Sequence, residues 1–271
     1  MIQEIRIKNY LSFRDEAVLS FEATKDTTFE ECQVVNVTPK VRLLRFALIY
    51  GANASGKSNL LNAMDFLCGF WFDKKSDIDE ETGVVPFLLD TETPNEPSEF
   101  NIKFFVGDKR YWYALVLDDK QVIKEDLYVY NSVQPSLVFS RELDGTASLI
   151  KLNASLVKAN ATIVEQLNVK CLSNMSFFAA RNQVNCSLAY IDEVRDWMKN
   201  NMMPIIEPGT RMFEYAGKQM EKNAELKAYI LDFVHKADYN ITDVYSEREK
   251  VPIPDFVKTS IMEDKDIPEK T

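Results

Sequence analysis

The octapeptide Gly51-Ala52-Asn53-Ala54-Ser55-Gly56-Lys57-Ser58 constrains this chain more than any other stretch. Its pattern, G-x-x-x-x-G-K-[ST], has a physical purpose only as a loop between a buried strand and the start of a helix. Glycine is scarce, 8 in 271 residues, and two of the eight stand five positions apart here. Upstream, Leu43, Leu44, Phe46, Ala47, Leu48, Ile49 and Tyr50 form a nearly continuous apolar run, which predicts a strand buried on both faces. Downstream, Leu60, Met64, Leu67 and Trp71 recur at steps of three and four, which predicts an amphipathic helix.

The chemistry of such a loop follows from its backbone. Gly51 and Gly56 permit angles at which successive N–H groups curl around phosphate oxygens. The helix start near Lys57 adds unpaired donors and the positive end of a dipole. On this pattern Lys57 reaches the β- and γ-phosphates of a nucleotide, and the Ser58 hydroxyl is the magnesium ligand. The bland alternative is a glycine turn with a solvated lysine, and the flanking strand and helix patterns argue against it.

The rest of the chain alternates between two periods. Ile2, Ile5 and Ile7, then Val18, Leu19 and Phe21, predict short strands over 2–8 and 17–21 around a Ser12–Asp15 turn. From 99 to 152 the pattern is a meander of strands, jointed at Gly107-Asp108, Asp118-Asp119 and Asp144-Gly145. From about 155 it turns helical: Leu188, Ile191, Val194 and Trp197 line one face, and Leu226, Tyr229, Ile230 and Phe233 another. Segment 73–98 is acidic and carries Pro86, Pro94 and Pro97, so it reads as a surface loop. The expected organisation is a mixed α/β chain with a P-loop nucleotide-binding lobe over 1–152, a helical subdomain over 153–247 and a charged tail over 248–271.

Composition excludes several classes. With 46% hydrophobic residues, 17 Phe, 11 Tyr and 3 Trp, the chain is too apolar to be disordered as a whole. No apolar run approaches the ~18 residues of a membrane helix, and the opening MIQEIRIKNY is charged and alternating, unlike a secretory signal. Four scattered cysteines (Cys32, Cys68, Cys171, Cys186) and a single histidine predict neither a zinc site nor a disulfide framework, and point to the cytoplasm. A net charge of −10 gives no support for a nucleic-acid partner, although it leaves room for one on a local basic patch.

Within the P-loop class, GANASGKSNLL resembles the Walker A motif of ATP-binding-cassette ATPases of the SMC/RecF type. IQEIRIKNYLSFRDEAVLSF is similar to the opening hairpin of that group, and AYILDFVHKADYNITDVY (228–245) to a later helical stretch. The nearest resemblance is to bacterial "AAA family" ATPases of the overcoming-lysogenization-defect and abortive-infection type, over roughly residues 1–247. The resemblance implies an ABC-type core with an antiparallel β-subdomain and a helical subdomain. It implies ATP and Mg²⁺ held by Gly51, Ala52, Asn53, Ala54, Ser55, Gly56, Lys57, Ser58 and Asn59, with Lys57 as the catalytic residue and Ser58 on the metal. It also implies a homodimer that sandwiches ATP, or a completing partner chain, and control of an effector such as a nuclease in phage defence.

The resemblance covers the N-terminal portion of such an ATPase. No Ser-Gly signature follows Ser55-Gly56, and the one apolar run closing on acids is Tyr113–Asp119. As a Walker B strand it would offer Asp118 and Asp119, but a hairpin turn is the reading its context favours. Hydrolysis by this chain alone is therefore not expected. Two further residues carry two readings each, and the single histidine carries one. Arg14, in the first turn, is either a phosphate contact or an exposed turn arginine. Gln183, in the stretch Phe177–Gln183, is either a metal sensor or part of a capped helix end. His235 is accounted for by its place at a helix C-terminus. Tyr111, Trp112, Tyr113, Tyr128 and Tyr130 read as sheet core rather than a base-stacking platform. A non-hydrolysing nucleotide-binding interaction subunit is the alternative function. A small-molecule kinase ranks lower, because 73–98 holds no arginine-bearing lid.

Overall fold

A computed structural model of the chain describes residues 1–203, 205–207, 209–237 and 239–245. The tail read at 248–271 lies outside them. The chain forms two compact units, Met1–Ile205 and Ile206–Thr271.

The first unit is organised by one antiparallel sheet. β1 (Ile2–Lys8) and β2 (Ala17–Ser20) form an opening hairpin. A single helical turn, α1 (Glu30–Gln33), leads into a separate two-stranded ribbon of β3 (Val34–Thr38) and β4 (Val41–Leu44). After the glycine loop comes α2 (Lys57–Phe70). The meander is β5 (Ser98–Val106), β6 (Lys109–Leu117), β7 (Val122–Tyr130), β8 (Ser136–Asp144) and β9 (Ala147–Leu152). The seven-stranded sheet has the order β2-β1-β5-β6-β7-β8-β9, so β1 lies between its hairpin partner and a strand some 90 residues away. Three helices follow, α3 (Ala161–Lys170), α4 (Phe177–Arg181) and α5 (Ile191–Asn201). The turns at Gly107, Asp118-Asp119 and Asp144-Gly145 fall where the sequence predicts them.

The alternation of the strands decides what is buried. Inner positions Ile5, Ile7, Phe100, Ile102, Phe104, Tyr111, Tyr113 and Leu115 are fully buried and join one apolar cluster with Ala63, Leu67 and Phe70 of α2. The joints are aromatic: Phe66 of α2 stacks on Phe100 at 5.2 Å, Trp197 of α5 on Phe104 at 4.3 Å, and Phe177 of α4 packs on Phe139 at 4.0 Å. Tyr111 and Tyr113 are thus core, whereas Trp112 and Tyr128 stack at 4.7 Å on the opposite, partly exposed face. Because α4 and α5 bury their apolar sides on the sheet, they fold as part of this first unit.

One ion pair in the core is fully enclosed. Glu125 on β7 and Arg141 on β8 are direct cross-strand neighbours with no exposed side-chain surface, 3.2 Å apart. Arg141 also donates to the carbonyls of Leu172, Ser173 and Met175 and to the Ser148 hydroxyl. Glu125 accepts from Tyr113 Oη, Ser176 Oγ and the Phe177 N–H, which anchors the start of α4. Burial and the adjacent Glu125 carboxylate push the Tyr113 phenol well above its ordinary range.

On the partly exposed face, Glu4 accepts from Arg6 and Lys103. The Arg6 hydrogen bond is the main cause of its low pKa, about 2 against an ordinary 4.5, with Lys103 assisting against partial burial. A depressed carboxylate pKa contributes stability above the unfolded value and loses it as pH falls through the folded one. The stability difference between wild type and Glu4→Gln, measured by urea unfolding, is therefore expected to be constant above about pH 4.5 and to vanish towards about pH 2. A difference unchanged down to pH 2 would contradict the ion-pair assignment.

Among its described residues the second unit contains two helices, α6 (Phe213–Lys222) and α7 (Ala224–Lys236). Asn223 caps α7 by accepting from the Leu226 N–H at 3.0 Å. His235 sits in the last turn of α7, as the sequence predicts.

One element differs from expectation. The strand read across 43–50 stops at Leu44, and residues 46–50 are irregular, with Tyr50 92% and Leu48 80% exposed. A strand apolar on both faces needs neighbours along both edges and layers above and below. Among the described residues no strand pairs with 46–50, so its side chains remain in solvent.

Candidate phosphate-binding loop

Ala54 at φ 61° and Gly56 at φ 85° turn the chain back on itself just before α2. Gly56 is the N-cap residue of α2; it carries no side-chain cap, and no acid stands in the first turn. The first intrahelical bond is from the Leu60 N–H to the Gly56 carbonyl at 3.0 Å. The N–H groups of Lys57, Ser58 and Asn59 precede that bond and have no intrahelical acceptor. The uncapped start of this 14-residue helix, with no carboxylate in its first turn, offers donors and a positive dipole end that suit an anion.

The lysine closes the loop. Lys57 Nζ donates to the carbonyls of Gly51 at 2.9 Å and Ala52 at 2.6 Å, folding its stem back across the octapeptide. Gly56 is favoured by its positive φ as well as by space, whereas Gly51 is crowded only by the Ser55 side chain. A Cβ on Gly56 would stand 3.0 Å from Ser12 Oγ and 3.4 Å from the Phe13 ring, and one on Gly51 would stand 3.1 Å from Ser55 Oγ. The first turn of the chain therefore forms the wall behind the phosphate loop. Tyr10 reinforces it by donating to the Asn62 carbonyl of α2 at 3.2 Å.

The other sequence candidates are distributed differently. Arg14 forms an ion pair with Asp90 of the acidic loop at 3.0 Å. Asp118 and Asp119 lie in the β6–β7 hairpin turn, where the Asp118 carboxylate accepts from the N–H groups of Lys120 and Gln121 at 2.8 Å. Their strand runs antiparallel in the meander, which removes the Walker B reading. Gln183 follows α4 and contacts the Ala179 carbonyl at 3.4 Å, beside a cavity of about 630 Å³ that it lines with residues of α3. That is the capped helix end. Among the described residues no cluster of three metal-ligating side chains occurs, and no helix is long and apolar enough to cross a membrane.

Sequence reasoning missed Asn9, Asp90 and the Glu125–Arg141 pair. The pair had a local signal, since a charge in the middle of each of two adjacent apolar strands asks for a partner. Asn9 had none beyond its position at the end of a strand.

A glycine loop running straight into an uncapped helix, a lysine closed over that loop, and a mixed α/β unit with an antiparallel sheet are consistent with a P-loop nucleotide-binding core. Residues 46–151 match the family described as "AAA domain, putative AbiEii toxin, Type IV TA system", a stretch that takes in the phosphate loop, α2 and the meander as far as β9. The match is consistent with an AAA/ABC-type ATPase of the abortive-infection kind, the group the sequence resembles at its phosphate loop. No curated protein matches the chain.

Proposed function

We propose that residues 51–59 hold the phosphates of ATP with Mg²⁺, and that the chain is a cytoplasmic ATP-binding module of the SMC/RecF/OLD-like kind. The observation that carries this is Lys57, closed over an uncapped helix start by two backbone carbonyls. The fit is chemical as well as spatial: free N–H donors at Lys57, Ser58 and Asn59, one ammonium, one hydroxyl at Ser58, and a positive-φ glycine at 56 where a Cβ would crowd Ser12 and Phe13. In this reading Lys57 and the helix start bind the β- and γ-phosphates, and Ser58 faces the metal. Mg²⁺, when bound, neutralises phosphate charge and holds the phosphates in one geometry. Arg14 is a second cation within the same wall, held by Asp90.

Turnover needs an acid to position water, and the candidates Asp118 and Asp119 are engaged in a hairpin turn. Binding with little hydrolysis is the behaviour these residues support. The exposed apolar run at 46–50 supports completion of the core by further polypeptide, whether a second copy in an ATP-sandwiched dimer or a partner chain. Control of a defence effector follows from the resemblance alone.

Titration with a fluorescent ATP analogue and Mg²⁺, alongside phosphate release, tests this. The expected result is saturable binding that ATP and ADP displace and adenosine does not, with phosphate release no faster than in buffer. Displacement by adenosine as effective as by ATP would sink the phosphate-loop reading.

A further inference from the structure

The wall behind the phosphate loop is held in an unfavourable shape from outside. Within the turn, Asn9 and Leu11 both have positive φ, 50° and 48°. Asparagine tolerates that region, but a leucine there persists only where its surroundings over-determine it. The surroundings are the acidic loop. Asn9 is 1% exposed, and its carboxamide is fully used: Nδ2 donates to the carbonyls of Thr93 at 2.7 Å and Glu96 at 2.8 Å, and Oδ1 accepts from the Phe87 N–H at 3.0 Å. Ser98 Oγ donates to the Asn9 carbonyl, and the Leu11 N–H donates to the Val85 carbonyl at 2.9 Å. Arg14 is tied to Asp90 at the far end of the same turn. Ser12 and Phe13, the two residues that touch the Gly56 position, stand between these ties.

We propose that Asn9 is a positioning residue through which the 82–98 loop sets the shape of the phosphate loop, with the Arg14–Asp90 pair as a second tie. The consequence for nucleotide affinity rests on the reading of residues 51–59 as the nucleotide site; the coupling itself does not. Removing the Asn9 carboxamide releases four hydrogen bonds to the 82–98 loop, a long one to the Pro97 carbonyl at 3.4 Å among them, lets Leu11 relax to negative φ, and withdraws Ser12 and Phe13 from Gly56.

The chain has only eight glycines, so selective ¹³C-glycine labelling gives a resolvable spectrum in which Gly56, assigned by substitution, reports the Phe13 ring beside it. In Asn9→Ala the Gly56 signal is expected to move, and the affinity for ATP to fall by about tenfold, a change of ~1.4 kcal/mol. Asp90→Asn, a surface change that leaves the carboxamide bonds in place, is expected to move the same signal less, and it serves if Asn9→Ala does not fold. A Gly56 signal that stays fixed in both variants, while Gly83 in the acidic loop moves, overturns the coupling. A Gly56 signal that follows Asn9 in a chain that binds no ATP upholds the coupling and removes the nucleotide reading instead.

Discussion

Lys57→Ala is expected to weaken ATP binding by about 10- to 100-fold, the loss of charge-assisted hydrogen bonds worth ~1.5–3 kcal/mol, while leaving the fold intact. The native lysine bonds only to carbonyls of its own exposed loop, Gly51 and Ala52, so no buried group is orphaned by its removal. Unfolding midpoints of variant and wild type without nucleotide should therefore agree to within about 0.5 kcal/mol. Added ATP should raise the midpoint of the wild type alone, because only a ligand bound to the native state stabilises it. Equal stabilisation of both proteins by ATP would place the binding site somewhere other than residues 51–59.

Arg141→Ala is expected to have the largest effect on stability, about 3–5 kcal/mol, because it leaves the Glu125 carboxylate buried without its counter-charge. Typical domains are stable by only ~5–15 kcal/mol in total. The pair is more than a salt bridge: Arg141 also satisfies three carbonyls of the 172–175 segment, and Glu125 fixes the first N–H of α4. Replacing both partners with methionine is for that reason not expected to be neutral, since each orphaned backbone group costs about 1–3 kcal/mol. Arg141→Lys should recover only part of the loss, as an ammonium cannot span the same fork of acceptors. Urea denaturation of the three variants, read by intrinsic fluorescence, gives the order. An Arg141→Ala protein within about 1 kcal/mol of wild type would mean that water reaches Glu125.

What the sequence disclosed about this molecule was whatever depends on local period. Strands of alternating apolarity at 99–152, turns at Gly107 and Gly145, and helices around Leu67 and Trp197 all appear where their patterns predict them. The candidate phosphate loop is legible because the pattern that suggests it occupies eight consecutive residues. Phe46–Tyr50 was misjudged because an apolar run specifies burial and not the neighbours that provide it. The clamp on the first turn was invisible for a different reason. Asn9 finds its partners 78 to 87 positions further on, and an asparagine at the end of a strand looks like any other turn former.

The position of β1 has a consequence for how the site comes into being. The strands of the meander are joined by short hairpins, whose closure is fast and entropically cheap. β1 pairs with β5 across a chain separation of roughly 90 residues, and the whole glycine loop and α2 lie within that closure. High contact order is thus concentrated in a single pairing, and it is the one that brings the Asn9–Arg14 turn to the back of Gly56. The glycine loop gains its back wall only when that pairing forms, so a chain emerging from synthesis can hold its meander well before the loop has its final shape.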